Sequence, residues 1–130
     1  MRLFKFIIVE NTLPEMPKKE LRLGYVEFHK HLLNQADEKF KNNILGGGMF
    51  SINNTTKQIS FYDRSWDYGK FKEADLIESL NLCKDHTQYI LEMYAIDVND
   101  YTAFDIKEYD VIIEDWDNNH KNNLGKFFAE

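Results

Sequence analysis

The sequence predicts an α/β domain of the α+β kind, a mixed β-sheet of about six strands flanked by two helices. Three observations predict it. The chain opens on a short apolar run rich in β-branched and aromatic residues, Leu3 to Val9. Two later stretches, His29 to Lys41 and Lys70 to Leu82, space their apolar residues by three and four. Strand-like segments bounded by Asn, Asp and Gly lie between and after them. The 130 residues suit a single domain, and a hydrophobic content of 43% is far too high for a disordered chain.

Taken in order, Leu3 to Val9 reads as a buried strand and Glu10 to Lys19, with Pro14 and Pro17, as a loop. Leu21 to Val26 fits a strand or the first turns of a helix, and Gly24 weighs against the helix. His29 to Lys41 predicts a helix with Leu32, Leu33, Ala36 and Phe40 on its apolar face, ended by Asn42 and Asn43. Ile44 to Ile52 carries Gly46, Gly47 and Gly48, and Gln58 to Tyr62 alternates as a strand after a hairpin turn at Asn53 to Thr56. Asp63 to Gly69 is a loop. Lys70 to Leu82 predicts a second helix with Phe71, Ala74, Ile77 and Leu82 inward. Tyr89 to Ile96 and Tyr109 to Ile113 read as later strands. The domain is expected over 1–117, with 118–130 a loosely held tail in which Leu124, Phe127 and Phe128 are able to dock.

Charge and cysteine content exclude several classes of function. A net charge of -6 argues against general duplex-DNA binding, which needs a basic face. The charge is uneven: most Lys and Arg lie before Lys72, whereas Asp97 to Asp117 is acidic, with Lys107 its single cation. The basic half tolerates an anionic ligand. The single Cys83 excludes an internal disulfide and suits a reducing compartment. Apolar runs such as Phe6 to Val9 fall far short of a membrane span, and no signal-peptide core follows Arg2 and Lys5. The expectation is a cytoplasmic monomer, with neither nucleic acid nor membrane among its partners.

Three features carry chemistry. Glu27-Phe28-His29 stands at a predicted helix start, where unpaired amides and a partial positive charge suit a phosphate and a histidine can act as general base. For a lone histidine, a surface or capping role is the commoner reading. Leu45-Gly46-Gly47-Gly48 permits a bulge or a close backbone approach, but lacks the lysine and spacing of a P-loop. Arg64-Ser65-Trp66-Asp67-Tyr68-Gly69 is a loop entering a helix. It reads either as an anion cradle or as an ordinary cap with Trp66 docked on the core.

In this order the pieces resemble the small protein-histidine phosphatases of the janus/ocnus type. Leu3-Phe4-Lys5-Phe6-Ile7-Ile8 looks like the family's first strand with its lysine. Tyr25-Val26-Glu27-Phe28-His29 is similar to the segment that carries the catalytic histidine. Leu45-Gly46-Gly47-Gly48 matches the Leu-Gly-Gly-Gly strand, Lys57 to Tyr62 looks like the strand after it, and Ser65-Trp66-Asp67-Tyr68-Gly69 matches the Ser-x-x-Tyr-Gly loop. The match runs from about Leu3 to Leu82.

The resemblance implies a phosphohistidine-phosphatase-like fold and a hydrolase without metal or other cofactor. Its partner would be a phosphohistidine-containing protein or a small phosphoramidate. His29 would be the general base that activates water. Lys5 would supply positive charge, and the amides of Phe28 to Lys30, the Ser65 hydroxyl and the Asp67 amide would cradle the phosphoryl oxygens.

Two positions depart from the family pattern: Met49 stands where the family has an arginine, and Asp67 where it has a small residue. They favour a second reading, a catalytically inactive phosphate- or protein-binding module that grips a basic partner through its acidic C-terminal segment. A third, a metal-dependent nuclease suggested by Asp105-Ile106-Lys107, is outweighed by a solvated acidic face. His29 and His31 are two apart and do not face one another on a helix. Cys83 lacks companions for a zinc site and reads as core packing.

Overall fold

The structure is a computed structural model that describes residues 3–15, 18–53, 55–82, 109–115 and 118–126. Its elements run β1 (Leu3–Glu10), β2 (Lys19–Val26), a 3-10 turn (His29–Leu32), α1 (Gln35–Lys39), β3 (Asn43–Asn53), β4 (Gln58–Tyr62), α2 (Glu73–Leu82), β5 (Asp110–Asp115) and β6 (His120–Lys126). The strands form one sheet in the order β2-β1-β3-β4-β5-β6. Every neighbouring pair is antiparallel except β4 and β5, and the crossover that a parallel pair requires contains α2. This is the expected mixed sheet with flanking helices.

Alternation along β1 assigns the two faces. Phe6 and Ile8 join Leu23, Phe50, Ile59, Phe61, Val111 and Ile113 under Leu76 and Leu80 of α2. Ile7 and Val9 face the other way, against Leu32. Burying such side chains contributes about 1.5–3 kcal/mol each, so apolar area holds α2 on one face and the 3-10 turn on the other. Phe6 meets Phe61 and Phe71 edge-on, with centroids 5.1 and 5.0 Å away, which fixes the chain just before α2.

Several elements differ from the sequence expectation. The long helix from His29 to Lys41 is two short pieces. Asn34 (φ -127, ψ 177) is extended and caps α1, accepting from the Asp37 amide at 3.2 Å, while its own amide donates to the Asp37 carboxylate at 2.6 Å. A polar cap that satisfies both amides competes with continuing the helix. Lys41 (φ 54) rather than Asn42 takes the left-handed position. Asn42 instead donates to Asn11 and Asp37. Leu21 to Val26 belongs to a strand. α2 starts at Glu73, because Lys70 bridges Gly47 and Phe71 enters the core. Its inward residues include Leu76, Ser79 and Leu80, while Ala74 is exposed. The tail expected over 118–130 contains a strand: β6 pairs along β5, and Leu124 packs on the core. Tyr89 to Ile96, Cys83 and Asp105 to Lys107 lie outside the described residues.

A buried ionic clamp holds the segment after β2 against the sheet. Arg22, 2% exposed, grips Asp37 through two bonds of 2.6 and 2.7 Å. It also donates to the Leu32 carbonyl at 3.1 Å and to Glu20 at 2.8 Å. The two-pronged geometry fixes orientation as well as distance. Burial pushes the Asp37 carboxyl up, but Arg22, the Asn34 amide and Asn42 together hold it below its ordinary value. Asp37→Ala leaves a buried guanidinium without its main partner and is expected to cost about 3–5 kcal/mol in urea unfolding. Because the folded pKa lies below the unfolded one, the Asp37 contribution is present above the ordinary carboxylate pKa and is lost as pH falls through the folded value. The wild-type advantage over Asp37→Ala therefore shrinks on acidification; an advantage that grew would refute the clamp.

Candidate functional site

The candidate site is built on the sheet face that carries Ile7 and Val9, around the three glycines of β3. Gly46 has φ +128, a conformation that side chains disfavour, and a Cβ there would stand 2.8 Å from the Lys70 carbonyl oxygen. The chain leading to α2 therefore passes directly over it. A Cβ on Gly47 would stand 2.5 Å from the Phe6 carbonyl oxygen and 3.3 Å from Cδ2 of His29. The Gly47 amide donates to the Gly69 carbonyl at 3.2 Å. One bare stretch of strand thus has the His29 ring and the end of the 65–69 loop as neighbours.

His29 is 5% exposed, and its Nε2 lies 2.8 Å from the Gly48 carbonyl oxygen. A carbonyl can only accept, so Nε2 carries the hydrogen and Nδ1 of the neutral ring carries the lone pair. Among the described residues Nδ1 has no partner and no buried side-chain nitrogen lacks one, so Nδ1 is open to solvent. Burial is the main influence on the imidazole and pushes its pKa down. The Gly48 carbonyl, Asp67 and Asp63 push it up, the Lys5 ammonium pushes it down, and the net value lies below 6.5. His29 is therefore neutral at neutral pH and able to accept a proton at Nδ1.

Lys5 lies on β1 between Gly24 and Met49, on the same face as Ile7. Its Nζ donates to the Glu27 carbonyl, just before the 3-10 turn, and stands 5.8 Å from the Phe28 ring centre. Lys30 Nζ stands 5.4 Å from the same ring. Lys5 and Lys30 thus flank the His29 segment. The Phe28 amide does not fill the role implied for it, because it donates to Nδ1 of His31 at 3.2 Å. The first hydrogen bond of the turn runs from the His31 amide to the Phe28 carbonyl, at 3.0 Å, and among the described residues the amides of His29 and Lys30 have no partner.

The 65–69 loop is closed by reciprocal bonds between Ser65 and Gly69. The Ser65 hydroxyl accepts from the Tyr68 amide at 3.1 Å, and the residue is 1% exposed. Ser65 shapes the loop, and among the described residues the Trp66 and Asp67 amides have no partner. Trp66 is 94% exposed and is not docked on the core. Met49 stands directly opposite Lys5, where facing Cβ atoms are roughly 5 Å apart, so the cation absent at position 49 is absent beside the lysine.

Lys5, His29 and the 65–69 loop are thus brought to one region of the sheet, although they lie far apart in sequence. Sequence reasoning missed the Gly48 carbonyl that sets the tautomer and the Arg22–Asp37 clamp. The clamp left one signal, the Asn34-x-x-Asp37 spacing of a capping pair. Asp110, Glu114 and Asp115 of the acidic segment lie on β5. Asp115 pairs with Lys70, whose bond, with help from Asn118, draws its carboxyl down to about 2, and Glu114 lies 3.6 Å from Lys121. Among the described residues, no group of three His, Cys, Asp or Glu could hold a metal ion. Among the described residues no helix is long and apolar enough to cross a membrane. No protein-family model matches the chain, and no curated protein matches it.

Titration of the His29 ring by NMR is expected to give a midpoint below 6.5. Lys5→Met removes a charge that disfavours the imidazolium and should move the midpoint up. Asp67→Asn removes one that favours it and should move the midpoint down. Shifts of the opposite sign, or none in either variant, would show that these charges do not face His29.

Proposed function

We propose that the protein is a metal-independent phosphatase that hydrolyses phosphohistidine, or a related phosphoramidate, on proteins. The observation that carries the reading is the His29 imidazole, held by the Gly48 carbonyl with its lone pair outward. It stands among Lys5, Lys30 and loop amides that have no partner among the described residues. Phosphoryl transfer asks a protein for positioning and charge stabilisation more than for covalent chemistry. In this reading Nδ1 of His29 takes a proton from the attacking water as its oxygen bonds phosphorus. The phosphorus–nitrogen bond breaks, its electron pair stays on nitrogen, and the amine or imidazole leaves with a proton from solvent. Lys5 and Lys30 balance the phosphoryl oxygens, and the amides of His29, Lys30 and Asp67 donate to them. The family resemblance from Leu3 to Leu82 supports the same assignment.

A second reading, a phosphate- or protein-binding module of the same fold without catalysis, is favoured by position 49. An arginine there would stand beside Lys5; Met49 supplies no charge. Asp67 adds a carboxylate to the same region. At about 5 Å and an effective dielectric near 20, a like charge costs on the order of 3 kcal/mol before screening.

Release of phosphate from a phosphohistidine protein or phosphoramidate in the presence of chelator tests the proposal. His29→Ala is expected to lower kcat by about 10²–10⁴-fold. Lys5→Ala should raise KM more than it lowers kcat, because substrate and transition state share its attraction in part. Turnover unaffected by His29→Ala contradicts the mechanism. An inactive wild type that gains activity as Met49→Arg with Asp67→Ala establishes the second reading.

A further inference from the structure

The rim around His29 is divided by charge. On one side stand Lys5 and Lys30, with Phe28 between them, 46% exposed. On the other stand Asp63, Asp67 and Trp66, with the exposed Arg64 in the same loop, its amide donating to the Asp63 carboxylate at 2.9 Å. Trp66 is 94% exposed at the tip of a loop closed on both sides by backbone bonds. Neither Trp66 nor the Asp67 carboxylate has a partner within the described structure. Both Asp63 and Asp67 are near enough to favour the imidazolium form of His29. An isolated exposed apolar residue is ordinary. An exposed indole next in sequence to an exposed carboxylate, in the loop anchored to the glycines under His29, is a different arrangement. The indole face attracts cations more strongly than any other aromatic ring, and a neighbouring carboxylate adds to the attraction.

We propose that Trp66 and Asp67 form a receptor for a lysine or arginine side chain that lies beside the phosphorylated residue of a protein substrate. The proposal rests on the phosphatase reading for the identity of the phosphorylated residue. Its own argument is charge complementarity. A phosphoryl dianion belongs on the lysine side and is repelled by Asp63 and Asp67. A basic neighbour in the substrate occupies the acidic, aromatic side at the same time and turns that repulsion into orientation. On this account Asp67 selects substrates: its amide donates to the phosphoryl group and its carboxylate accepts from the flanking cation. An exposed cation–π contact together with an exposed ion pair is worth about a tenfold preference.

The test uses two peptides that carry a stable triazolyl-phosphonate analogue of phosphohistidine, one flanked by arginine and one by glutamate. The wild type is expected to bind the arginine peptide about tenfold more tightly. In Trp66→Ala and in Asp67→Asn that ratio should fall to about threefold or less. The tryptophan variant is decisive, because it removes no charge and so separates a local receptor from the general attraction of a chain of net charge -6. Equal affinities for the two peptides, including no measurable binding of either, overturn the proposal. So does a ratio that Trp66→Ala leaves unmoved. Hydrolysis of the matching phosphohistidine peptides reports separately on the phosphatase reading. Charge-selective binding without turnover keeps the receptor and removes the phosphatase; turnover without charge selectivity does the reverse.

Discussion

His29 reaches the carbonyl of Gly48 because the strand beneath it has no side chains. Gly46, Gly47 and Gly48 are buried in β3, and each is pressed by something a Cβ would strike: the Lys70 carbonyl, the Phe6 carbonyl and the Tyr62 carbonyl. The same bare backbone gives the 65–69 loop its anchor, through the bond from the Gly47 amide to the Gly69 carbonyl. A methyl group at Gly47 would move the imidazole, the strand or both. The bulge between Ile8 and Val9 also follows from this stretch, since Gly46 takes a backbone conformation open mainly to glycine. The candidate site is therefore as much a property of β3 as of the residues named for their chemistry.

The remaining constraint is the orientation of the short segment that carries the histidine. A four-residue 3-10 turn has little stability of its own. It is held at one end by Lys5 on the Glu27 carbonyl and by His31 on the Phe28 amide. At the other end Leu32 is buried and Arg22 takes its carbonyl. Arg22 in turn is locked to Asp37, so the cap of α1 and the placement of His29 share one ionic anchor. Removing that anchor acts on the site through position, without touching any group that faces a ligand.

Much of the scaffold was legible in the sequence. The apolar runs of β1, β4 and β5 declared their strands, and the glycine run marked a close approach. Helical periodicity overreached where local polar bonding intervened: Asn34 can cap, and its cap cut the expected first helix in two. In α2 the phase slipped because Phe71 is apolar for a reason other than helix packing; it belongs to the core before the helix begins. β6 was hidden because His120-Lys121-Asn122-Asn123 is polar, as an edge strand with solvent on one side can be. For the site, residue types and order drew attention to Lys5, His29 and the 65–69 loop. The loss of the Phe28 amide to His31 and the burial of Ser65 were not legible, since both depend on which way a side chain turns after folding.

The proposed chemistry requires that Lys5, the His29 segment and the 65–69 loop form a single anion site over the glycines of β3. An amide NMR titration with inorganic phosphate or tungstate tests it without requiring turnover. The account predicts that the amides of His29, Lys30, Trp66 and Asp67 shift together along one saturation curve, and that the Lys5→Met variant weakens that curve. Shifts confined to another region, such as the cavity of about 210 Å³ lined by Glu114, Asp115, Asn119, His120 and Lys121, would contradict it. Independent curves for the His29 segment and the 65–69 loop would contradict it as well.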